Sequence, residues 1–203
     1  MKNTIHRLSQ PGGKTIAWCE ESGVRLIEKD GFRFKDLART GELLPYEDWR
    51  LSPEERAADL AARLTPEEIA GLMLYSPHQA VPPHGGGMFS GTFGGRSFAE
   101  SGLPPFALSD QQLQFIRQDH IRHILLTTVD GADTAARWSN ALQACAEAQP
   151  HGVPVNISTD PRNGARPSGV EFKSGEGDIS RWPEGMGFAA CFDPEIVRQF
   201  AHD

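Results

Sequence analysis

Between residues 121 and 159 the chain reads strand, helix, strand, and this stretch limits the possible folds more than any other. Ile121-Arg122-His123-Ile124-Leu125-Leu126-Thr127-Thr128 is a run of strand length and mostly apolar character. Residues 132–148 follow as a helix, and Val153-Pro154-Val155-Asn156-Ile157-Ser158-Thr159 is a second strand. Strands joined through a helix run parallel, cross right-handedly and are buried on both faces. The predicted class is therefore α/β. Both strands end in polar or acidic residues, Thr127-Thr128-Val129-Asp130 and Ser158-Thr159-Asp160, and (β/α)8 barrels place their chemistry at such carboxyl ends.

Residues 1–50 read as an extension ahead of this body. Val24-Arg25-Leu26-Ile27-Glu28-Lys29 and Phe32-Arg33-Phe34-Lys35-Asp36-Leu37 alternate apolar and charged residues around Asp30-Gly31, a β-hairpin pattern. Ser52-Pro53-Glu54-Glu55 and Thr65-Pro66-Glu67-Glu68 each join a capping hydroxyl, a proline at the first helical position and a glutamate that closes a capping box. Ile69, Leu72 and Met73 give the second helix an apolar face. Residues 77–105, rich in Gly, Pro and Ser, read as a long loop, either an active-site cover or a mobile linker, with the linker reading preferred. A helix near 110–118, a third short strand near 188–192 and a helix capped by Asp193-Pro194-Glu195 complete the pattern.

Length then matters. A complete barrel takes about 250 residues, and here the barrel-like pattern of a 203-residue chain begins only near Ile121. The expected fold is a partial (β/α)8 TIM-barrel-like domain over residues 51–203, its first βα units only, behind the extension of residues 1–50. The last residues break off inside a helix without a glycine stop, so the chain is expected to be the amino-terminal piece of a longer protein.

A formal charge of -7 argues against nucleic acid or an anionic membrane surface as the main partner, because both repel an acidic protein at long range. No segment has the length and apolarity of a membrane span, and the first residues do not resemble a secretory leader. Cys19, Cys145 and Cys191 are odd in number and far apart, as reduced thiols are. The chain is expected to be soluble and cytoplasmic. A partial barrel exposes faces that a closed one buries, which leaves association into a homo-oligomer open.

Two places carry possible binding chemistry. Asp160 ends a strand ahead of Pro161-Arg162-Asn163-Gly164; a carboxylate accepts two hydroxyl hydrogen bonds at once and so anchors a monosaccharide, while a turn or cap is the structural alternative. Glu176, Asp178, Arg181 and Trp182 place charges beside an indole that either stacks on a pyranose or plugs the core against the last helix. Ser109-Asp110 reads as a helix start with Gln112 completing the box, not as a nucleophile. His120 and His123 lack the companions of a zinc site, the glycines of 85–95 lack a dinucleotide or phosphate-loop spacing, and no Gly-x-Ser-x-Gly element occurs. Neither metal nor cofactor is expected.

Three segments in order resemble the amino-terminal domain of glycoside hydrolase family 3, the β-glucosidase and β-xylosidase group. They are Leu64-Thr65-Pro66-Glu67-Glu68-Ile69-Ala70-Gly71-Leu72-Met73, the strand leading to Asp160, and Trp182-Pro183-Glu184-Gly185-Met186-Gly187-Phe188-Ala189-Ala190-Cys191-Phe192-Asp193-Pro194. The resemblance implies a retaining exo-acting β-glycosidase acting on an oligo- or aryl β-glycoside without a cofactor. It makes Asp160 the residue that binds glycone hydroxyls, with Asp178, Arg181 and Trp182 lining the pocket. Asn163 departs from the histidine that the family often carries there. The nucleophile and the acid/base would lie beyond Asp203, so no catalytic residue is expected within the chain. Two rivals remain: a non-catalytic sugar-binding or structural module of the same fold, and another barrel enzyme such as a lyase or aldolase, for which no Schiff-base lysine or metal cluster is evident.

Overall fold

The computed structural model describes residues 4–83, 91–159 and 182–202. The chain opens with two antiparallel hairpins, β1 (Ile5–Leu8) with β2 (Ile16–Cys19) and β3 (Arg25–Lys29) with β4 (Phe32–Asp36). The second is the hairpin expected around Asp30-Gly31, and both residues take positive φ there. The first carries no strong alternation and is closed by a turn in which Gly13 N donates to Gln10 O. Helices α1 (Pro53–Ala61) and α2 (Pro66–Leu72) begin at the predicted capping boxes: Ser52 Oγ accepts from Glu55 N, and Thr65 Oγ1 from Glu68 N.

The central sheet is parallel and its strands stand in chain order, β5 (Gln79–Val81), β6 (His123–Val129) and β7 (Asn156–Thr159). Between β5 and β6 lie α3 (Phe98–Ser101) and α4 (Asp110–Arg117), and between β6 and β7 lies α5 (Ala132–Glu147). The linker reading of residues 77–105 is therefore corrected, because this stretch supplies a strand of the sheet. β5 is only three residues long between prolines 77 and 82, too short to show a period in the sequence, and it exists through pairing with β6. Ahead of it Ser76 bridges an irregular stretch: its backbone N–H donates to His123 O and its hydroxyl accepts from Leu125 N.

The core lies between this sheet and α4 and α5. Val81, Ile116, Ile124, Leu126, Trp138 and Leu142 are buried there, Trp138 completely. Buried Gln112 ties the layers together: its carboxamide oxygen accepts from Trp138 Nε1 at 3.2 Å and from Ser109 N at 3.1 Å, while its nitrogen donates to Gln79 Oε1 at 3.1 Å. Arg122, also buried, gives its guanidinium to the carbonyls of Ile116, Ile121 and Val153, and burial lowers its pKa. Gly71 fits where no Cβ would, since one placed there would sit 2.3 Å from Asp119 O. The opposite face of β6, with His123, Leu125 and Thr127, is only half-covered, unlike a parallel sheet enclosed on both sides. None of the sheets closes on itself among the described residues.

The extension docks on α5. Buried Glu147, at the helix end, accepts from Cys19 N at 2.7 Å and from Lys35 Nζ at 2.8 Å. Arg39 adds bonds to the carbonyls of Ser22, Glu147 and Gln149. The predicted strand at 153–159 is shorter than expected, because Val155 spends its N–H and C=O on the Gln143 side chain.

The third strand predicted near 188–192 is not formed: residues Gly185–Cys191 are helix α6, followed by α7 (Pro194–His202). A helix satisfies its own backbone groups, whereas a strand here would need a partner, and Met186, Ala189 and Ala190 favour helix. Phe192 takes a left-handed φ of 49° between the two helices, and Asp193 Oδ1 accepts from Glu195 N, the predicted cap. No helix among the described residues is long and apolar enough to cross a membrane.

Replacing Gln112 by Ala strands the fully buried indole N–H of Trp138 and the carboxamide of Gln79. The expected cost is about 1–3 kcal/mol, measured as a lower urea midpoint with an unchanged slope; an unaltered midpoint refutes the role given to Gln112.

Candidate active site

A crossover helix runs back against the strands it joins, so the carboxyl ends of β5, β6 and β7 share one end of the sheet with the amino termini of α4 and α5. Val81, Val129 and Thr159 close the strands there. Asp130 N donates to Val81 O at 3.1 Å, and Thr127 Oγ1 donates to Gln79 O at 3.0 Å, so the ends of β5 and β6 are bonded beyond the regular ladder. Ser158, the penultimate residue of β7, meets the hydroxyl of Tyr75 across β6, and the ring of Tyr75 stacks on His123.

The glycine-bearing turn at residues 91–96 is pinned to the amino terminus of α4. The carboxylate of Asp110 accepts from Gly94 N and Gly95 N, both at 2.9 Å, and from Thr92 Oγ1 at 2.8 Å. Gln111 Oε1 accepts from Thr92 N, and a Cβ on Gly91 would lie 2.7 Å from that of Ser109. Phe93 is buried against Phe98. A segment read from sequence as a linker is, in this part, built into the rim of the strand ends. The backbone N–H groups of Gly95 and Gly94 and the Thr92 hydroxyl hold the Asp110 carboxyl below its usual range.

The predicted site residues fall unevenly on this frame. Asp160, Asp178 and Arg181 lie outside the described residues, as do Asn163 and Glu176. Trp182 is half-buried, its ring 6.2 Å from Phe188 and 5.9 Å from Phe200, where it joins α6 to α7. This is the packing role that the sequence left open beside stacking on a sugar. Ser109 is the cap of α4: its buried hydroxyl accepts from Gln112 N, as its capping box implied. His120 sits in a left-handed turn and His123 opens β6, so the two do not share a helical face. No cluster of three metal-ligating side chains occurs among the described residues. Asp110 was legible in the sequence only as the first residue of a helix; its hold on residues 92–95 depends on contacts some 15 residues apart.

A folded-state pKa below the unfolded value means that Asp110 contributes stability above about pH 4 and loses it as pH falls through its lowered pKa. The backbone amide signals of Gly94 and Gly95 are therefore expected to be constant at neutral pH and to titrate together in acid. Asp110→Asn removes that titration; amides that titrate unchanged in the variant disprove the anchor.

No family model matches the chain. Curated relatives do. The chain is 39% identical over 187 residues to a periplasmic beta-glucosidase/beta-xylosidase of Dickeya chrysanthemi, covering 91% of the chain and 26% of that protein. It is 32% identical over 186 residues to a probable beta-glucosidase C of Aspergillus oryzae, and 29% identical over 168 residues to beta-glucosidase C of Emericella nidulans. The chain spans about a quarter of the length of these relatives. It is therefore homologous, over about nine-tenths of its residues, to one part of β-glucosidases and β-glucosidase/β-xylosidases, as its resemblance to glycoside hydrolase family 3 implied.

Proposed function

We propose that this chain is the amino-terminal part of a retaining, exo-acting β-glycosidase, where it forms the first βα units of a (β/α)8 barrel and one wall of the glycone pocket. The observation that carries this reading is the homology to β-glucosidases along a chain whose parallel strands stand in sequence order with helices on one face. Consecutive strands side by side, with the other face half-covered, suit an arc of a barrel that further strands complete. The lyase or aldolase alternative has no comparable support, since the relatives named are glucosidases.

In this reading Asp160, immediately after β7, accepts hydrogen bonds from glycone hydroxyls at the strand ends. Asp178, Arg181 and Trp182 line the same pocket from the following segment, and the turn pinned by Asp110 borders it. Hydrolysis needs two carboxyl groups across the scissile bond. One attacks the anomeric carbon and forms a glycosyl ester while the other gives its proton to the departing oxygen; water then cleaves the ester, returning both groups to their starting states. Those two groups belong to the remainder of the protein, and the 203-residue chain alone does not hydrolyse glycosides. No cofactor takes part. The three unbonded cysteines favour a cytoplasmic setting, although the Dickeya relative is named periplasmic.

Two measurements test this. The isolated chain is expected to leave 4-nitrophenyl β-glucoside and β-xyloside intact, whereas the longest product of its gene hydrolyses at least one. In that longer form Asp160→Ala is expected to lower kcat/KM by at least 100-fold, the loss of about 2.7 kcal/mol of transition-state binding. Unchanged turnover in the variant would remove Asp160 from the site, and absent turnover in the longest form would favour a sugar-binding module.

A further inference from the structure

We infer that an outward apolar patch at the amino ends of the strands, centred on Met73, Leu74 and Tyr75, is the surface on which a later part of the same polypeptide packs. This rests on the reading above, that the chain is one arc of a larger barrel, and adds the place where the parts are joined. Met73 is 83% exposed, Leu74 and Tyr75 52% each, and Ile69 41%. Four large apolar side chains thus stand in solvent between positions 69 and 75. Soluble monomers scatter such residues singly, and a contiguous patch marks an interface.

The exposure does not come from a loosely held segment. α2 is fixed through its other side: a Cβ on Gly71 would sit 2.3 Å from Asp119 O, and Glu68 Oε2 stands 3.9 Å from His151 Nε2. Ile69 and Met73, one helical turn apart, share the side turned away from the body. A helix of a globular protein ordinarily buries its apolar stripe; here the stripe is outside and the glycine inside. Beyond the helix, Ser76 N donates to His123 O at 2.9 Å and Ser76 Oγ accepts from Leu125 N at 3.0 Å, which fixes the backbone beside Tyr75. The Tyr75 ring stacks on His123 and its hydroxyl meets Ser158. The patch therefore continues onto the half-covered face of the sheet, where Leu125 lies.

The sheet indicates what covers this patch. Parallel sheets are enclosed on both faces, and among the described residues this one has its helices on one. The matched region is 26% of the Dickeya relative, so a parent of that length holds enough chain to enclose the other face. The occupant is a later βα unit of the parent, with apolar side chains opposite Met73 and Leu74 and against the Tyr75 ring. A second copy of the chain is a poorer match, because each copy carries a formal charge of -7 and like charges repel on approach. Tyr75 pairs with His123, the first residue of β6, so the patch lies at the opposite end of the strands from Val129 and Thr159, away from the candidate active site.

Peroxide oxidation of methionine, read by mass spectrometry on the 203-residue chain and on the longest product of its gene, tests this. Met73 is expected to oxidise about tenfold more slowly in the longer protein, since sulfoxide forms according to exposure. Met73→Lys is expected not to lower the melting temperature of the 203-residue chain, where the position is exposed, and to lower that of the longer protein, where the ammonium is buried. Equal oxidation of Met73 in the two proteins overturns the proposal, as does a Met73→Lys variant of the longer protein that melts with the wild type, or a gene whose longest product ends at Asp203. Protection already present in the 203-residue chain and lost on dilution gives the patch to a second copy and overturns it too. Hydrolysis by a longer protein whose Met73 oxidises at the full rate removes this surface and keeps the glycosidase reading. A protected Met73 in a longer protein that cleaves no β-glycoside keeps the surface and removes that reading instead.

Discussion

The carboxamide of Gln112 is the point through which α4, α5 and β5 are held together. It receives the indole N–H of Trp138, gives a hydrogen bond to Gln79, and completes the cap on which α4 begins. A buried amide has to find partners for donor and acceptor alike, so its position admits few arrangements of its neighbours. The short strand β5 depends on that bond and on pairing with β6 for its place. The turn at 91–96 depends in turn on α4, because Asp110 at its start holds Gly94 and Gly95. This buried polar side chain thus sets the geometry of the rim.

The extension is attached by the same kind of contact. Glu147 sits at the carboxyl end of α5, where a negative charge is unfavourable beside the helix dipole. It is held there by the Cys19 amide and the Lys35 ammonium, both from the extension. Arg39 satisfies carbonyls on both bodies. Truncating Lys35 with the extension in place would leave a buried carboxylate short of a partner, a larger penalty than the loss of a surface ion pair.

How much was legible in the sequence varied with the range of the interactions involved. Capping boxes at Ser52, Thr65 and Ser109 are local, and the helices start where they were expected. The Asp30-Gly31 hairpin and the strand, helix, strand run are also local patterns and formed. β5 was missed because its three residues gain their conformation from β6, more than 40 residues away. Residues 188–192 were read as a strand on the strength of small and aromatic residues, yet among the described residues no strand pairs with them and the alanines favour a helix. Of the candidate site, Asp160, Asp178 and Arg181 rest on sequence resemblance alone, while Trp182 has a defined place against Phe188 and Phe200.

By itself the sequence determined the α/β class, the helix starts and the relationship to β-glucosidases, because periodicity, caps and ordered segments are written in neighbouring residues. Tertiary structure alone decided that the glycine-rich segment contributes a strand and a pinned rim, and that the extension is bound to α5. Each of these rests on buried polar groups finding partners tens of residues away, and a one-dimensional pattern does not record such pairings.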